Sequence, residues 1–406
     1  MQQRLGALQC QGFGPVEVEA EPPPESLDGE SALEPRSRTA RDVAEAGDEQ
    51  AFHRTYSSEM PTVTLQPSGQ QFQVEDGESI LAAALRQNLI LPYGCRNGAC
   101  GSCKGKLLEG RVDYGVYQRK ALSDEEKAQG KALFCQARPL DDVVIEARAV
   151  SAAGGIVVKT LPCRVQKMER LADDVMVLHL KLPANERLKF LAGQFIEFRL
   201  KDGTRRSFSI AAPPHDAELI ELHVRHVAGG QFTDHVFGRM KERDILRFEG
   251  PLGVFFLREE SARPIVLVAS GTGFAPIKAL IEDALHRGIA RPMTLYWGGR
   301  RPKDLYMNEL ALKWAAERPP QLRYVPVISD ALPEDAWAGR TGFVHRAVMQ
   351  DLPDLSGHQV YACGVPIMVD SARKDFTTVC GLPEEEFFAD SFTTQADLAQ
   401  PAPSPR

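Results

Sequence analysis

The sequence predicts a multidomain α+β and α/β chain: a small β-grasp unit, then an antiparallel β-barrel, then a doubly wound parallel sheet. Three observations predict it. Four cysteines, Cys95, Cys100, Cys103 and Cys135, lie among short strand patterns around a single helical one. Between Cys163 and about Arg258, short strand patterns recur between turns, as in an antiparallel barrel. From Arg263 onward, unbroken apolar runs alternate with helical patterns, the rhythm of a parallel sheet flanked by helices.

At 406 residues the chain has room for about two to four domains. Its apolar runs, such as Ile265 to Ala269, are far too short to cross a bilayer. No signal-peptide pattern opens it, so a cytoplasmic location is expected, with its eight cysteines reduced. The net charge of −7 has a local origin: residues 1–60 hold five Lys/Arg and twelve Asp/Glu. The rest sums to zero, so no basic nucleic-acid surface is predicted.

Residues 1–60 are rich in Pro, Glu, Ala and Gly and lack any period, which reads as a disordered acidic extension. A partner-docking tail and an over-called start, with Met60 the true first residue, are the alternatives. Residues 61–150 form the next unit. Val63-Thr64-Leu65 and Phe72-Gln73-Val74 make a hairpin around Pro67-Ser68-Gly69. Ser79 caps a helix carrying Ile80, Leu81, Ala84 and Leu85. Lys104 to Glu109 and Val143 to Glu146 add strands, which makes a β-grasp.

The stretch from Cys95 to Cys103 reads C-x4-C-x2-C, with Cys135 following. Two irons and two sulfides need four thiolates, three of them from one tight loop. Gly98 and Gly101 let that loop turn its N–H groups toward sulfur. Structural zinc usually pairs two C-x2-C knuckles, and the second is missing here. A disulfide framework suits a short secreted chain. The phrase C-R-x-G-x-C-G-x-C resembles the plant-type [2Fe–2S] ferredoxins, which implies cluster ligation by all four cysteines. Cys10, Cys163 and Cys380 read as ordinary thiols.

Residues 151–160 contain Ala-Ala-Gly-Gly, a linker pattern. In the barrel, residues 161–260, strands are expected at Val175–Leu180, Phe195–Leu200, Ser207–Ile210, Ile220–Val227 and Ile245–Phe248. Arg206-Ser207-Phe208-Ser209 resembles the R-x-Y-S motif of the ferredoxin–NADP reductase superfamily, with Phe in place of the usual Tyr. The resemblance implies FAD along this strand. Arg206 would pair with its pyrophosphate, Phe208 would pack on the ring, and Ser209 would reach N5. His223 and Val224 are further candidate contacts. Gly229-Gly230-Gln231-Phe232-Thr233 precedes a helix, so its amides suit a phosphate, with Phe232 and Thr233 counted among the contacts. A plain glycine turn is the alternative.

Residues 261–394 carry Gly271-Thr272-Gly273-Phe274-Ala275-Pro276 after an apolar strand. This turn resembles the superfamily's G-T-G-x-x-P, which implies a nicotinamide dinucleotide over the helix N-terminus. Cys363-Gly364-Val365-Pro366-Ile367-Met368 resembles its C-G-x-P-x-M. There Cys363 would lie beside the nicotinamide, and no histidine base is motif-linked to make it a nucleophile. Phe392 is the candidate for the aromatic that covers the flavin in relatives, ahead of Phe388. The two stand at helical spacing, and core packing is the alternative. Arg300 and Asp304 follow the second strand, where an acid favours a free 2′-hydroxyl and a base a 2′-phosphate. The phrase Tyr-Trp-Gly-Gly-Arg occurs in relatives that mostly prefer NADH, so NADH is expected over NADPH. Residues 395–406 read as a tail.

From 61 to about 394, the domain order resembles iron–sulfur flavoprotein reductases that serve bacterial oxygenases or deoxysugar dehydrases. Nicotinamide gives two electrons as hydride, the cluster takes one, and flavin can do both. The resemblance implies electron transfer from NADH through FAD to the cluster, then to a partner. That partner would be a pyridoxamine-phosphate-dependent dehydrase or a diiron or Rieske oxygenase, with no nucleic acid or membrane. A redox sensor or simple flavin reductase is the weaker alternative.

Overall fold

Alternating burial builds the first sheet. On β1 (Thr62–Gln66), Val63 and Leu65 point inward and their neighbours outward, and Phe72 does the same on β2 (Gln70–Gln73). The two strands pair antiparallel across the Pro67-Ser68-Gly69 turn. Helix α1 (Ile80–Arg86) is capped by Ser79, whose Oγ accepts from the Ala82 amide. It buries Ile80, Leu81, Ala83 and Ala84 against the sheet. Strand β3 (Lys104–Glu109), the short β4 (Val112–Asp113), helix α2 (Asp124–Ala128), β5 (Lys131–Leu133), β6 (Arg138–Pro139) and β7 (Val143–Glu146) complete the unit. The sheet order is β2-β1-β7-β3-β5, with β1 and β7 parallel. This is the expected β-grasp.

The computed structural model describes residues 60–147 and 156–393. The extension up to residue 59, residues 151–155 of the expected linker and the tail from 394 lie outside the described residues.

The barrel comprises β8 (Lys159–Ala172), β9 (Val175–Lys181), β10 (Phe195–Arg199), β11 (Arg205–Ser209), β12 (Ile220–Arg225), helix α3 (Gln231–Gly238) and β13 (Ile245–Leu252). Its order is β11-β10-β13-β8-β9-β12, and an antiparallel bridge from Ile210 to Leu222 joins the two edges. Strand β8 has no counterpart among the strands expected from sequence. Its pairing with β9 slips at Val165/Lys167 and at Arg170/Ala172, and such irregularities erase the period of two that marks a strand.

In the last domain all strands are parallel: β14 (Ile265–Ser270), β15 (Met293–Gly299), β16 (Leu322–Ile328), β17 (Arg340–Thr341), β18 (Gln359–Gly364) and β19 (Phe387–Ser391). Helices α4 (Phe274–His286), α5 (Asn308–Glu317), α6 (Val344–Asp351) and α7 (Pro366–Thr378) cover it. The order is β17-β16-β15-β14-β18-β19. Ile265, Leu267 and Ala269 feed the core on one face, Val266 and Val268 the core on the other. This two-sided burial explains the unbroken apolar run. The order reverses beside β14, which opens a crevice at the strand C-termini. Despite the helical spacing of Phe388 and Phe392, Phe388 lies in a strand and Phe392 just beyond its end, because the open edge of β18 takes up the chain in register from Phe387 to Ser391. Among the described residues no helix is long and apolar enough to cross a membrane.

Candidate redox site

The cysteine loop spans α1 and β3. Gly98 has φ +76° and sits under the Val116 carbonyl, where a Cβ would approach to 2.8 Å. A side chain there is therefore excluded twice over, by backbone angle and by space. The Cys95 amide lies 3.3 Å from Cys100 Sγ, and the Cys100 amide 3.3 Å from Cys95 Sγ. The Cys103 and Cys135 thiols likewise contact each other. The four thus form two facing pairs. Among the described residues no three His, Cys, Asp or Glu converge on a single ion. Two pairs side by side suit two irons rather than one, so the donor set fits a [2Fe–2S] cluster. Cys163 and Cys380 are buried in other cores, with their thiols pushed up chiefly by burial.

On β11, the Arg206 guanidinium donates through Nη1 to the Arg205 carbonyl, while its Nη2 is buried with no partner. A buried guanidinium nitrogen without an acceptor is costly, and an FAD phosphate would supply one. Ser207 donates to Glu197 at 3.2 Å. Phe208 is half-buried against Phe232 at 5.0 Å between ring centroids. Phe232 itself stacks on Phe198 in the barrel core, and Val224 also faces that core. These two therefore have mainly their backbone to offer a cofactor. Beside them, Gly229 and Gly230 lead into α3, and Thr233 Oγ donates back to the Val227 carbonyl at 2.9 Å.

His223 points out of the barrel, into the seam with the nicotinamide domain. Its Nδ1 is 2.7 Å from the Tyr306 hydroxyl and its Nε2 2.8 Å from Glu221. Burial raises the Glu221 carboxyl, but His223 and the charge of Lys278 outweigh it and hold the group at about 2. Glu221 is then ionised, so Nε2–H donates to it and Nδ1 accepts from Tyr306. Burial keeps the His223 ring neutral.

At the crevice, Gly271, Thr272 and Gly273 turn β14 into α4, with Pro276 in its first turn. A Cβ on Gly273 would come within 2.1 Å of the Cys363 carbonyl. The turn and the Cys363–Gly364 loop therefore touch through bare backbone. Arg225, unremarked in the sequence, lies here: its guanidinium packs within 3.5 Å of where a Gly271 Cβ would stand. Its Nε and Nη2 are buried without a hydrogen-bond partner, and Asp174 is 3.5 Å away. A guanidinium beside a glycine turn, with its Nη2 lacking an acceptor, fits a dinucleotide phosphate. An Arg at the end of β12, four residues before Gly229, was the available signal.

Cys363 is fully buried, and its thiol is raised well above its ordinary value by burial and by Asp390. It is no thiolate nucleophile. Pro366 and Met368 open α7 beyond it. The Phe392 amide donates to the Gly364 carbonyl at 2.8 Å, and its half-buried ring and Phe388 pack on the nicotinamide-side core. Asp390 pairs in register with Cys363 and accepts from Ser209 Oγ at 3.1 Å. Ser209, Cys363 and Phe392 are thereby drawn to one place. Asp390 and Ser391, whose Oγ is buried without a partner, were missed as site residues. A carboxylate inside an apolar strand was the signal.

After β15, the Asp304 carboxylate accepts from the Arg300 and Arg301 amides at 2.9 and 3.0 Å. Arg301 is tied to Asp335, Lys303 to Asp173, and Arg300 stays exposed.

Fold and site together define an iron–sulfur flavoprotein oxidoreductase with three centres in series. Residues 63–140 match the 2Fe-2S iron-sulfur cluster binding domain, 162–257 the oxidoreductase FAD-binding domain and 267–374 the oxidoreductase NAD-binding domain. The chain is 40% identical over 330 residues to the CDP-6-deoxy-L-threo-D-glycero-4-hexulose-3-dehydrase reductase of Yersinia pestis, covering 81% of this chain and 98% of that one. It is 38% identical to reductase component 2 of terephthalate 1,2-dioxygenase from Comamonas sp, covering 80% and 94%. The crystal structure of Amycolatopsis cytochrome P450 reductase GcoB aligns with a TM-score of 0.69 at 35% identity, over 82% and 99% of the two chains. The chain belongs to the ferredoxin-containing reductases of the ferredoxin–NADP reductase superfamily, those that include hexulose-dehydrase reductases and oxygenase reductase components. It is an NAD(P)H-dependent oxidoreductase that passes electrons through FAD and a [2Fe–2S] cluster to a partner.

Proposed function

We propose that this chain is a CDP-6-deoxy-Δ3,4-glucoseen reductase, which takes electrons from NADH and delivers them to a pyridoxamine-phosphate-dependent dehydrase. The carrying observation is the 40% identity to the Yersinia pestis dehydrase reductase over 98% of that protein. The likeness to the terephthalate dioxygenase component supports a second reading, an oxygenase reductase. A cytoplasmic location accompanies both.

In this reading Cys95, Cys100, Cys103 and Cys135 hold the cluster. Arg206, Ser207, Phe208, the backbone around Val224 and the Gly229–Thr233 turn hold FAD. Gly271, Thr272, Gly273, Pro276 and Arg225 receive the dinucleotide phosphates. When bound, FAD supplies the conversion of a hydride into single electrons. The chain orients the donors, excludes water and neutralises phosphate charge. Ser209 presents its hydroxyl where the flavin's reactive edge would lie, and Asp390 fixes the direction of that hydroxyl. The buried Cys363 and the Gly364 loop shape the nicotinamide pocket, which Phe392 borders. NADH preference is supported by the Asp304 carboxylate beside Arg300 and by the pairing of Arg301 with Asp335.

Reconstitution with each partner tests the choice. The chain plus NADH should support turnover of the CDP-6-deoxyhexulose dehydrase. Failure there, with turnover of a Rieske or diiron oxygenase, would establish the second reading. Higher kcat/KM with NADPH would reverse the nucleotide preference.

A further inference from the structure

The cysteine loop carries one long cation whose charge leaves its own domain. Arg96 directly follows Cys95 and has φ +60°. Its Nη1 lies 3.3 Å from Glu249 Oε1 and its Nη2 3.6 Å from Glu197 Oε2. Both carboxylates belong to the barrel, on β13 and β10. Both also bind Arg205, at 2.7 Å for Glu197 and 3.1 Å for Glu249. Arg205 opens β11, the strand that carries Arg206 and Ser209. Two carboxylates thus sit between two guanidinium groups, one from the cysteine loop and one from the candidate flavin strand.

A second contact lies close by. The Tyr93 hydroxyl accepts from the Gly253 amide at 2.8 Å, 160 residues away in sequence. Tyr93 and Cys103 share a buried apolar cluster with Phe195 and Leu252 of the barrel. The apolar patch supplies adhesion without direction. The ion network supplies direction, because a guanidinium fork engages two carboxylates only over a narrow range of orientations. Desolvation offsets much of the attraction in a buried ion pair, so this network is read as fixing the arrangement and not as adding net stability.

We propose that Arg96 is a positioning residue for the electron step between flavin and cluster: it seats the cysteine loop on the Glu197 and Glu249 carboxylates of β10 and β13, which Arg205 ties to β11, and so sets the separation and orientation of the two centres. This rests on reading the four cysteines as cluster ligands and β11 as the flavin strand. Arg96 exchanges neither proton nor electron. When bound, FAD would supply the two electrons of a hydride singly and the cluster would take one at a time, handing the first to the partner before the second, so the loop has to hold one place throughout. A chain that loses the Arg96 contact keeps Glu197 and Glu249 paired with Arg205, so the barrel retains its fold.

The test uses the full chain carrying both cofactors, with Arg96→Ala, Arg96→Lys and Glu249→Gln. Glu249 lies on the barrel side, so Glu249→Gln separates loosened docking from damage to the cluster. Amide hydrogen exchange of Gly253, followed before any nicotinamide is added, reports docking. Stopped-flow absorbance after mixing with NADH reports flavin and cluster reduction separately. In Arg96→Ala, Gly253 exchange should quicken and cluster reduction slow, each by about tenfold, equivalent to ~1.4 kcal/mol of docking. Flavin reduction should be unchanged. Glu249→Gln should move both readouts the same way, Arg96→Lys should restore part of the loss, and the Arg96→Ala/Glu249→Gln pair should lose less than the sum. Wild-type exchange and cluster reduction in both single variants would overturn the proposal. A wild-type protein whose cluster never bleaches with NADH would overturn the parent reading and this one with it.

Discussion

Ser209 and Asp390 are 181 residues apart in the chain, and the Ser209 hydroxyl donates to the Asp390 carboxylate at 3.1 Å. One belongs to the barrel and the other to the edge strand of the nicotinamide domain. Asp390 is only 8% exposed. Burial pushes its carboxyl up to about 7, the Ser209 hydrogen bond pulls it down, and the nearby Cys100 raises it further.

Asp390 should make stability depend on pH. Its ordinary value is 3.8 and its folded value is about 7, so the folded state favours the neutral acid. That contribution is fully present below pH 3.8 and is lost as pH rises through 7. Compared with wild type, Asp390→Asn should gain in Tm as pH rises from about 4 to about 7, the gain levelling off above that. Parallel Tm curves for the two proteins would show that Asp390 ionises freely.

Ser209→Ala removes the hydroxyl and leaves Asp390 without its donor. Flavin reduction by NADH should slow by about tenfold, ~1.4 kcal/mol on the barrier. Cluster content should not change. Stopped-flow flavin bleaching measures it, and an unaltered rate would remove Ser209 from the hydride step.

Cys135→Ser takes one thiolate from the Cys103–Cys135 pair. The cluster absorbance and the EPR signal of its reduced form should vanish, while FAD and NADH-dependent ferricyanide reduction persist. A retained cluster signal would mean that another ligand serves.

Gly273→Ala places a methyl 2.1 Å from the Cys363 carbonyl. Backbone must shift, at a cost of about 1–3 kcal/mol. KM for NADH should rise and Tm fall. A wild-type KM would show that the turn is not where the dinucleotide sits.

Arg225→Ala deletes two buried donors that make no hydrogen bond, Nε having only the Asp174 carboxylate at 3.5 Å. A lost hydrogen bond to a charged group is worth about 1.5–3 kcal/mol. KM for NADH should rise by roughly tenfold or more, with FAD content unchanged. Loss of FAD instead would assign Arg225 to the flavin phosphates.

The motifs legible in the sequence are local ones. The cysteine loop and the Gly271–Gly273 turn each lie within about ten consecutive residues, and their chemistry follows from backbone angles and short spacings. Strands with intact alternation, such as β1, could be read the same way. Strand β8 could not, because its slipped register with β9 hides the period of two. Nor could β19, where Phe388 and the following Phe392 stand at helical spacing yet the edge of β18 imposes extended backbone from Phe387 to Ser391. A short segment's own preferences are weaker than a row of open backbone hydrogen bonds.

By itself, the sequence determined the three domain types, because each rests on short-range pattern, and its resemblance to the reductases implied the cluster ligands and the direction of electron flow. The tertiary structure alone decided which charges meet across domains. His223 finds Tyr306, Arg96 finds Glu249 and Ser209 finds Asp390 only after the separate units are packed. Buried polar groups must have partners, but sequence does not name a partner that lies a hundred residues away.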